Sequence, residues 1–282
     1  MVRGRYMESL NLLKEKQLDI LRIVDKVCRE NGIIYYLAYG TAIGAVRHQG
    51  FIPWDDDIDI IMLRDDYNKF LDKVQQQLPR NIFVQTYKSD KGYNLPFAKI
   101  RDSETTCQET GCENLDINHG VFIDLFPYDY IPEGKINRLK QSIYAELIWI
   151  LLRKNEKKSG VKKIITNIIS SFVSENKYEE VIEKLENKMS KYDKANCGYV
   201  ANLNYGFGYA SRLFSKKMFN PIEISFENEK FLIMEGYDQY LTMAYGDYMK
   251  LPPVEQRVGG HGYTIVDTNK SYIEVLNKNS KE

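Results

Sequence analysis

Between Trp54 and Met62 the chain reads Trp54-Asp55-Asp56-Asp57-Ile58-Asp59-Ile60-Ile61-Met62, an acidic run that passes directly into an apolar one. In a β-strand, side chains two apart project from the same face, about 6.6 Å apart along the backbone. Asp57 and Asp59, interleaved with isoleucines, are therefore expected to point the same way from a buried strand, with Asp55 in the same alternation. Carboxylates gathered in this way repel one another and raise one another's pKa. Inside an apolar strand they are costly unless paired or bound to a metal. A hard divalent cation relieves the repulsion, and Mg²⁺ prefers a few carboxylates completed by substrate phosphates. The plain alternative is a solvated acidic turn, against which the interleaved isoleucines argue.

Upstream, Gly40-Thr41 closes a short apolar run and Gly44 follows. A glycine there lets the backbone approach a phosphate, while the threonine hydroxyl and backbone N–H groups can donate to its oxygens. Arg47, between the two elements, suits a bidentate phosphate clamp or a surface role. Asp124 stands alone among apolar residues in Gly120-Val121-Phe122-Ile123-Asp124-Leu125-Phe126-Pro127. On a strand beside the first, it would complete a metal site or place a base near an acceptor hydroxyl. Lys99 and Arg101 alternate on Phe97-Ala98-Lys99-Ile100-Arg101, giving two cations on one strand face. They are candidates for diphosphate binding, or members of an ordinary wet face.

The periodicity around these residues predicts a mixed α/β (α+β) fold. A helical pattern runs from Leu10 to Val27 and stops at Asn31-Gly32. Short strands are expected at Ile33–Ala38, Asp57–Met62, Ile82–Tyr87, Phe97–Arg101 and Gly120–Phe126, with a helix at Asp65–Leu78. The stretch from Gly40 to Gly50 reads as glycine-punctuated connection. Residues 1–132 form the expected core, 133–195 a lysine-rich helical insertion, and 196–282 a segment returning to the core through strands near Ile222–Met234, a helix at Tyr237–Ala244 and a loop from Gly246 to Gly262. With 39 basic and 39 acidic residues the formal charge is zero, so nothing electrostatic recommends duplex nucleic acid as a partner. The four cysteines have no paired spacing, so neither a disulfide scaffold nor a zinc site at Cys107, Cys112 and His119 is expected. No secretory signal opens the chain, and Ile143–Leu152 is about half the length of a membrane span. A cytoplasmic location is the expectation.

The stretch Tyr39-Gly40-Thr41-Ala42-Ile43-Gly44-Ala45-Val46-Arg47-His48-Gln49-Gly50-Phe51-Ile52-Pro53-Trp54-Asp55-Asp56-Asp57-Ile58-Asp59-Ile60 resembles the LicD family, which includes bacterial phosphocholine transferases and, more distantly, fukutin-related proteins. Phe97–Asp102, His119–Pro127 and Tyr245–Pro253 support the resemblance. It implies a nucleotidyltransferase-like core and Mg²⁺ or Mn²⁺. It also implies transfer of a phospho-alcohol, phosphocholine above all, from a CDP-activated donor such as CDP-choline. The acceptor would be a hydroxyl on a glycan or lipid-linked glycan, of the teichoic acid or lipopolysaccharide type. Asp55, Asp57 and Asp59 would hold the metal and Asp124 would be the additional carboxylate. Gly40, Thr41, Arg47, Lys99 and Arg101 would serve the donor phosphates, and Trp54, Arg257 and His261 the remaining substrate. Family members often carry His-His after the proline-rich loop; here Gly259-Gly260-His261 stands in its place, which leaves the role of His261 open.

Rival readings are a glycosyltransferase using a nucleotide-sugar through the D-x-D motif, a nucleotidyltransferase, and a non-catalytic binding module. The loop Pro252–Arg257 is expected either to fold back over the site, with Arg257 on a phosphate, or to lie exposed. The insertion carries six basic residues between Arg153 and Lys163, joining two apolar segments across residues 143–173. Such a pattern suits reversible docking on the inner face of an anionic membrane, or a helical pair with its lysines in water.

Overall fold

A computed structural model describes residues 2–156, 160–204 and 212–279. The elements, in chain order, are α1 (Val2–Asn31), β1 (Tyr36–Leu37), α2 (Tyr39–His48), β2 (Asp59–Leu63), α3 (Arg64–Lys73), β3 (Ile82–Gln85), β4 (Ala98–Asp102), β5 (Thr106–Glu109) and β6 (Val121–Ile131). Three helices follow, α4 (Lys135–Leu152), α5 (Gly160–Ser171) and α6 (Tyr178–Met189). The chain then forms β7 (Tyr199–Ala201), β8 (Phe214–Ser215), β9 (Pro221–Phe226), β10 (Glu229–Met234), α7 (Tyr237–Tyr245), β11 (Tyr263–Asp267) and α8 (Tyr272–Asn279). The fold is mixed α/β, as the periodicity predicted.

The main sheet runs β1-β2-β6-β4-β3, and among the described residues only β2 and β6 are parallel within it. One face is closed by α1, whose Leu13, Leu21, Val24 and Val27 pack with Ile58, Ile60, Met62, Ile123 and Leu125, and by Tyr67 and Phe70 of α3. The opposite face divides in two. Part is covered by an aromatic and aliphatic cluster from α2, α7 and β6, including Ala42, Phe126, Tyr128 and Tyr240. The remainder carries the acidic residues.

Two local expectations were wrong in instructive ways. The glycine-punctuated stretch is a helix, α2, because Ala42, Ile43 and Ala45 bury an apolar face that outweighs the helix-weakening glycines. Gly44 is needed there for close approach: a Cβ would lie 2.4 Å from the Gly50 carbonyl oxygen. Strand β6 also runs five residues past Phe126 despite Pro127. It pairs with β4 through residues 121–125 and with β7 through 129–131. Pro127 falls between those two ladders, where its missing N–H costs no bond. Strands β5 and β11 were not expected from sequence, and they cover the site.

The end of β2 remote from the acidic run is fixed by charge. Arg64, the first residue after β2, donates to both carboxylate oxygens of Asp129 on β6 at 2.7 and 2.8 Å. Both side chains are at least 97% buried (exposures of 3% and 1%). Glu186 of α6 approaches the same guanidinium at 3.2 Å, tying the helical insertion to the sheet. The insertion also shares a core with the sheet through Ile131, Ile148, Leu151, Ile182, Met189 and Ala201. Removing one partner of such a buried pair strands a charge, at a cost of about 3–5 kcal/mol. Asp129→Asn is expected to lose stability on that scale in urea unfolding. Arg64→Met combined with Asp129→Leu should lose much less, and equal losses would show that the pair is not what holds this end of the sheet.

Candidate active site

The site is built on strand register. In the parallel β2–β6 ladder Asp59 is the direct partner of Asp124. In the antiparallel β6–β4 ladder Asp124 is the partner of Lys99, and Lys99 in turn faces Gln85 of β3. A single row across the sheet is therefore Asp59, Asp124, Lys99, Gln85. Pairing of β6 with the acidic segment begins where the Asp124 N–H donates to the Ile58 carbonyl at 2.9 Å. Asp55 and Asp57 thus lie in irregular chain just before β2, not in the strand itself.

These carboxylates still converge. Burial raises the Asp55 carboxyl to about 6, assisted by repulsion from Asp56. Burial and then repulsion from Asp55 carry Asp57 to about 7. Asp59 is pushed well above the usual carboxylate range by burial, then by Asp57 and Asp124. Asp124 is raised by burial, against the pull of Lys99, whose Nζ lies 3.0 Å from its Oδ1. An oxygen-only set of mutually repelling, buried acids is a donor set for a hard divalent cation. By its chemistry this donor set suits a hard cation such as Mg²⁺ or Mn²⁺, which Asp55, Asp57, Asp59 and Asp124 would hold, while the ligand atoms already within 4.8 Å of one another among the described residues are those of Asp56, Asp57 and His261.

The glycine and threonine of the upstream motif serve these acids directly. A Cβ on Gly40 would lie 2.6 Å from Oδ2 of Asp55, so glycine admits that carboxylate to the first turn of α2. Thr41 Oγ1 accepts the Asp59 N–H at 2.8 Å, fixing the start of β2.

Lys99 and Arg101 share a face, as expected, but the face is neither wet nor open to a diphosphate. Arg101 is fully buried. It donates to Gln85 Oε1, the Gly120 carbonyl and Glu109 Oε2 at 2.6, 2.7 and 2.8 Å. Lys99 meets Glu109 at 3.0 Å and lies 3.5 Å from the centroid of Phe122. Burial would raise the Glu109 carboxyl, yet the two cations outweigh it and hold it at about 2. The reason for the correction is β5: it lays Glu109 over both cations, and nothing in its polar sequence announced a strand. Arg101 is thereby a structural residue, and Lys99 acts on Asp124.

On the other side of the acids, the C-terminal chain returns. Asp56, overlooked in the sequence because it alternates out of register with Asp55 and Asp57, anchors that return. Its carboxylate lies 3.3 Å from His261 Nδ1 and accepts the backbone N–H groups of Gly260 and His261 at 3.2–3.4 Å. Its backbone carbonyl accepts from Gln17 of α1 and from the Tyr263 hydroxyl. His261 also lies 3.5 Å from Asp57, and Asp56, Asp57 and His261 bring ligand atoms within 4.8 Å of one another. The bond to Asp56, then the charge of Asp57, raise His261 to about 9 against burial. At neutral pH it is an imidazolium facing the acids.

A cationic corner adjoins the cluster. The Arg257 guanidinium lies over the Trp54 ring, 5.4 Å from its centroid, and His48 meets that ring edge-on at 6.3 Å. Arg47 Nη1 donates to the Tyr248 carbonyl at 2.6 Å, and Arg257 Nε to the Pro252 carbonyl at 2.9 Å. Burial, then Arg257, depress the Arg47 pKa, while Asp55 raises it. Among the described residues neither guanidinium is ion-paired with a carboxylate. The loop containing Arg257 does fold back beside Trp54.

A family model described as "LicD/FKTN/FKRP, nucleotidyltransferase domain" matches residues 32–138, which hold every acid of the cluster. The chain is 35% identical over 262 residues, 88% of its length and 96% of the relative's, to the lipopolysaccharide cholinephosphotransferase LicD of Haemophilus influenzae. Two uncharacterized rickettsial proteins are similar over shorter stretches. One, from Rickettsia typhi, is 33% identical over 135 residues, and one from Rickettsia prowazekii is 30% identical over 117; the matches cover 45% and 40% of this chain and 39% of each relative.

The acids make a stability prediction independent of activity. Asp55 and Asp57 rise from 3.8 to about 6 and about 7. Carboxyls raised on folding stabilise fully below the unfolded value and lose that contribution as pH climbs through the folded one. His261, raised from 6.5 to about 9, works in the same direction. The metal-free protein should therefore melt lower at about pH 8 than at about pH 5. Mg²⁺ or Mn²⁺ should restore the loss at the higher pH, by about 2.7 kcal/mol at a hundredfold excess over Kd. Asp59→Asn should raise the metal-free melting temperature at about pH 8 and blunt the response to the ion. A melting temperature insensitive to both pH and divalent cations would contradict the cluster as described.

Proposed function

Because the chain belongs to the LicD family, we propose that it transfers phosphocholine from a CDP-activated donor to a hydroxyl of a surface-glycan precursor. The observation that carries this reading is the buried Asp59–Asp124 row with Asp55 and Asp57 beside it, joined to similarity along most of the chain to a lipopolysaccharide cholinephosphotransferase. In the transfer, the acceptor oxygen forms a bond to the phosphorus carrying choline, and the bond from that phosphorus to the CMP oxygen breaks. Phosphoryl-type transfer asks chiefly for positioning and charge neutralisation. Bound Mg²⁺ or Mn²⁺ supplies neutralisation of the donor phosphates. Asp55, Asp57 and Asp59, with Asp124 beside them, would hold that ion, and Arg47 and Arg257 would take phosphate oxygens from the cationic corner, with Trp54 beneath the nucleotide. Asp124 accepts the proton of the acceptor hydroxyl. Burial raises its affinity for a proton, against the opposing pull of Lys99.

Incubation with CDP-choline, Mg²⁺ and a glycan acceptor is expected to release CMP. CDP as the nucleotide product from a nucleotide-sugar would instead favour the glycosyltransferase reading. Asp57→Asn and Asp59→Asn should each cut turnover about a thousandfold while the fold persists. Asp124→Asn should lower turnover more than donor affinity measured calorimetrically. Near-normal rates in the first two variants would remove the metal site from the mechanism.

The helical insertion supports a peripheral location. No helix among the described residues is long and apolar enough to cross a membrane. Yet α4 exposes Ile136, Leu139 and Ile143, and α5 exposes Ile164 and Ile168, with Phe172 in the turn just after it; Ile136 stands at 71% and Phe172 at 84%. Both sets follow helical spacing, so each makes one apolar stripe. Of the basic cluster, Lys157 and Lys158 lie outside the described residues, as does the side chain of Lys162. Arg153 pairs with Glu156 and Lys154 lies over Tyr178, while Lys163 is exposed. Docking of these stripes on an anionic leaflet is expected to carry the protein down with phosphatidylglycerol vesicles at low salt. Ile168→Ser with Phe172→Ser should leave it in the supernatant; a wild-type protein that never sediments rules docking out.

A further inference from the structure

The carboxylates account for the phosphate end of a choline phosphate, and the cationic corner for a nucleotide. Neither accounts for a trimethylammonium group, which has no hydrogen-bond donor and carries a charge that cannot be titrated away. Proteins hold such groups against aromatic faces within about 6 Å of the ring centroid.

The sheet places aromatic rings one strand step from the acids. Phe126 follows Asp124 by two residues on β6 and shares its face, so the two side chains stand about 6.6 Å apart along the strand. Phe97 precedes Lys99 by two residues and lies on the same face, its ring centroid 4.4 Å from that of Phe126. Tyr39 also meets Phe126, edge-on at 5.4 Å. Phe97 and Tyr39 are both half-buried, while Phe126, which both rings touch, is buried at 5% exposure.

Two features show that Tyr39 is held in place. Its backbone has φ of 46°, in the left-handed region that a side-chain-bearing residue occupies at a cost of about 1–3 kcal/mol. Its hydroxyl lies 3.1 Å from that of Tyr128 and accepts from Asn202 Nδ2 at 2.8 Å, so the phenol end is tethered inward. The residue that follows is Gly40, which seats Asp55. One turn of chain therefore positions both an acid of the cluster and an aromatic ring.

We propose that Tyr39, Phe97 and Phe126 form the subsite for the quaternary ammonium of the transferred group, one strand step from the carboxylates that serve its phosphate. The proposal rests on the reading of the donor as CDP-choline. It further states that the rings set the enzyme's preference for a trimethylated ammonium over a primary one. A primary ammonium is more strongly hydrated and gains less from apolar ring faces.

The test compares CDP-choline with CDP-ethanolamine, following CMP release with Mg²⁺ present. Wild-type protein should favour CDP-choline in kcat/KM. Phe97→Leu keeps an apolar side chain and removes the ring, and should reduce kcat/KM for CDP-choline by about tenfold. The same variant should change kcat/KM for CDP-ethanolamine less than about threefold, collapsing the preference. Phe97→Tyr should restore the preference, and Tyr39→Phe, which retains its ring, should keep it. Equal losses on both donors would assign Phe97 to packing and overturn the subsite, as would an unchanged preference in Phe97→Leu. Both of those results would leave the transfer reaction standing. Failure of the wild-type protein to release CMP from either donor would overturn the reaction and the subsite together.

Discussion

Asp59 and Asp124 are direct partners in the parallel β2–β6 ladder of the main sheet, with exposures of 9% and 4%. Two like charges side by side in a buried ladder are unfavourable, and much of the surrounding structure answers that cost. Lys99 stands beside Asp124, and Glu109 and Arg101 hold Lys99 in turn. Thr41 and Ile58 fix the backbone at each strand entry. The helices α1 and α3 supply the apolar packing that keeps the ladder closed from behind. At its far end the Arg64–Asp129 pair locks the register that makes the two acids neighbours.

The polar environment is asymmetric about that row. Toward β4 and β5, charges are paired and dry, so Lys99 tunes Asp124 without meeting solvent. Toward α2 and the C-terminal loop, Asp55, Asp57 and the imidazolium of His261 are less enclosed, and Arg47 and Arg257 are without carboxylate partners among the described residues. A site that neutralises its own charge on one side and leaves it uncompensated on the other has a direction from which charged ligands enter. Asp56 is the residue that joins these halves, because its carboxylate holds the returning chain and its carbonyl binds α1 and β11.

The aromatic side of the face follows the same logic at a different polarity. Alternation on β6 gives Phe122, Asp124, Phe126 and Tyr128 one common face, so a single strand presents ring, acid, ring and phenol in succession. Phe122 is covered by Lys99 and Arg101, whereas Phe126 borders half-buried rings. Position relative to β5 decides which of two phenylalanines in the same strand supports cations of the protein and which is left near the surface.

The mixed α/β class, the acidic strand entry, the isolated Asp124 and the helical insertion were all legible in the sequence. Each depends on local periodicity or on the cost of a charge among apolar residues, and both are properties of a short stretch of chain. Helix α2 was not legible, since Gly40 and Gly44 read as breaks until the carboxylate and the carbonyl that they admit are seen. Nor was the fate of Lys99 and Arg101, because alternation tells which residues share a face and not what lies over it. Glu109 and Asp56 could be recognised only when β5 and the C-terminal loop were placed, since their partners lie across strands or at the far end of the chain. The sequence by itself determined that Asp59 and Asp124 are carboxylates set among apolar strand residues. Tertiary structure decided which cations answer them, because the pairing of buried charges is set by contacts between segments distant in the chain.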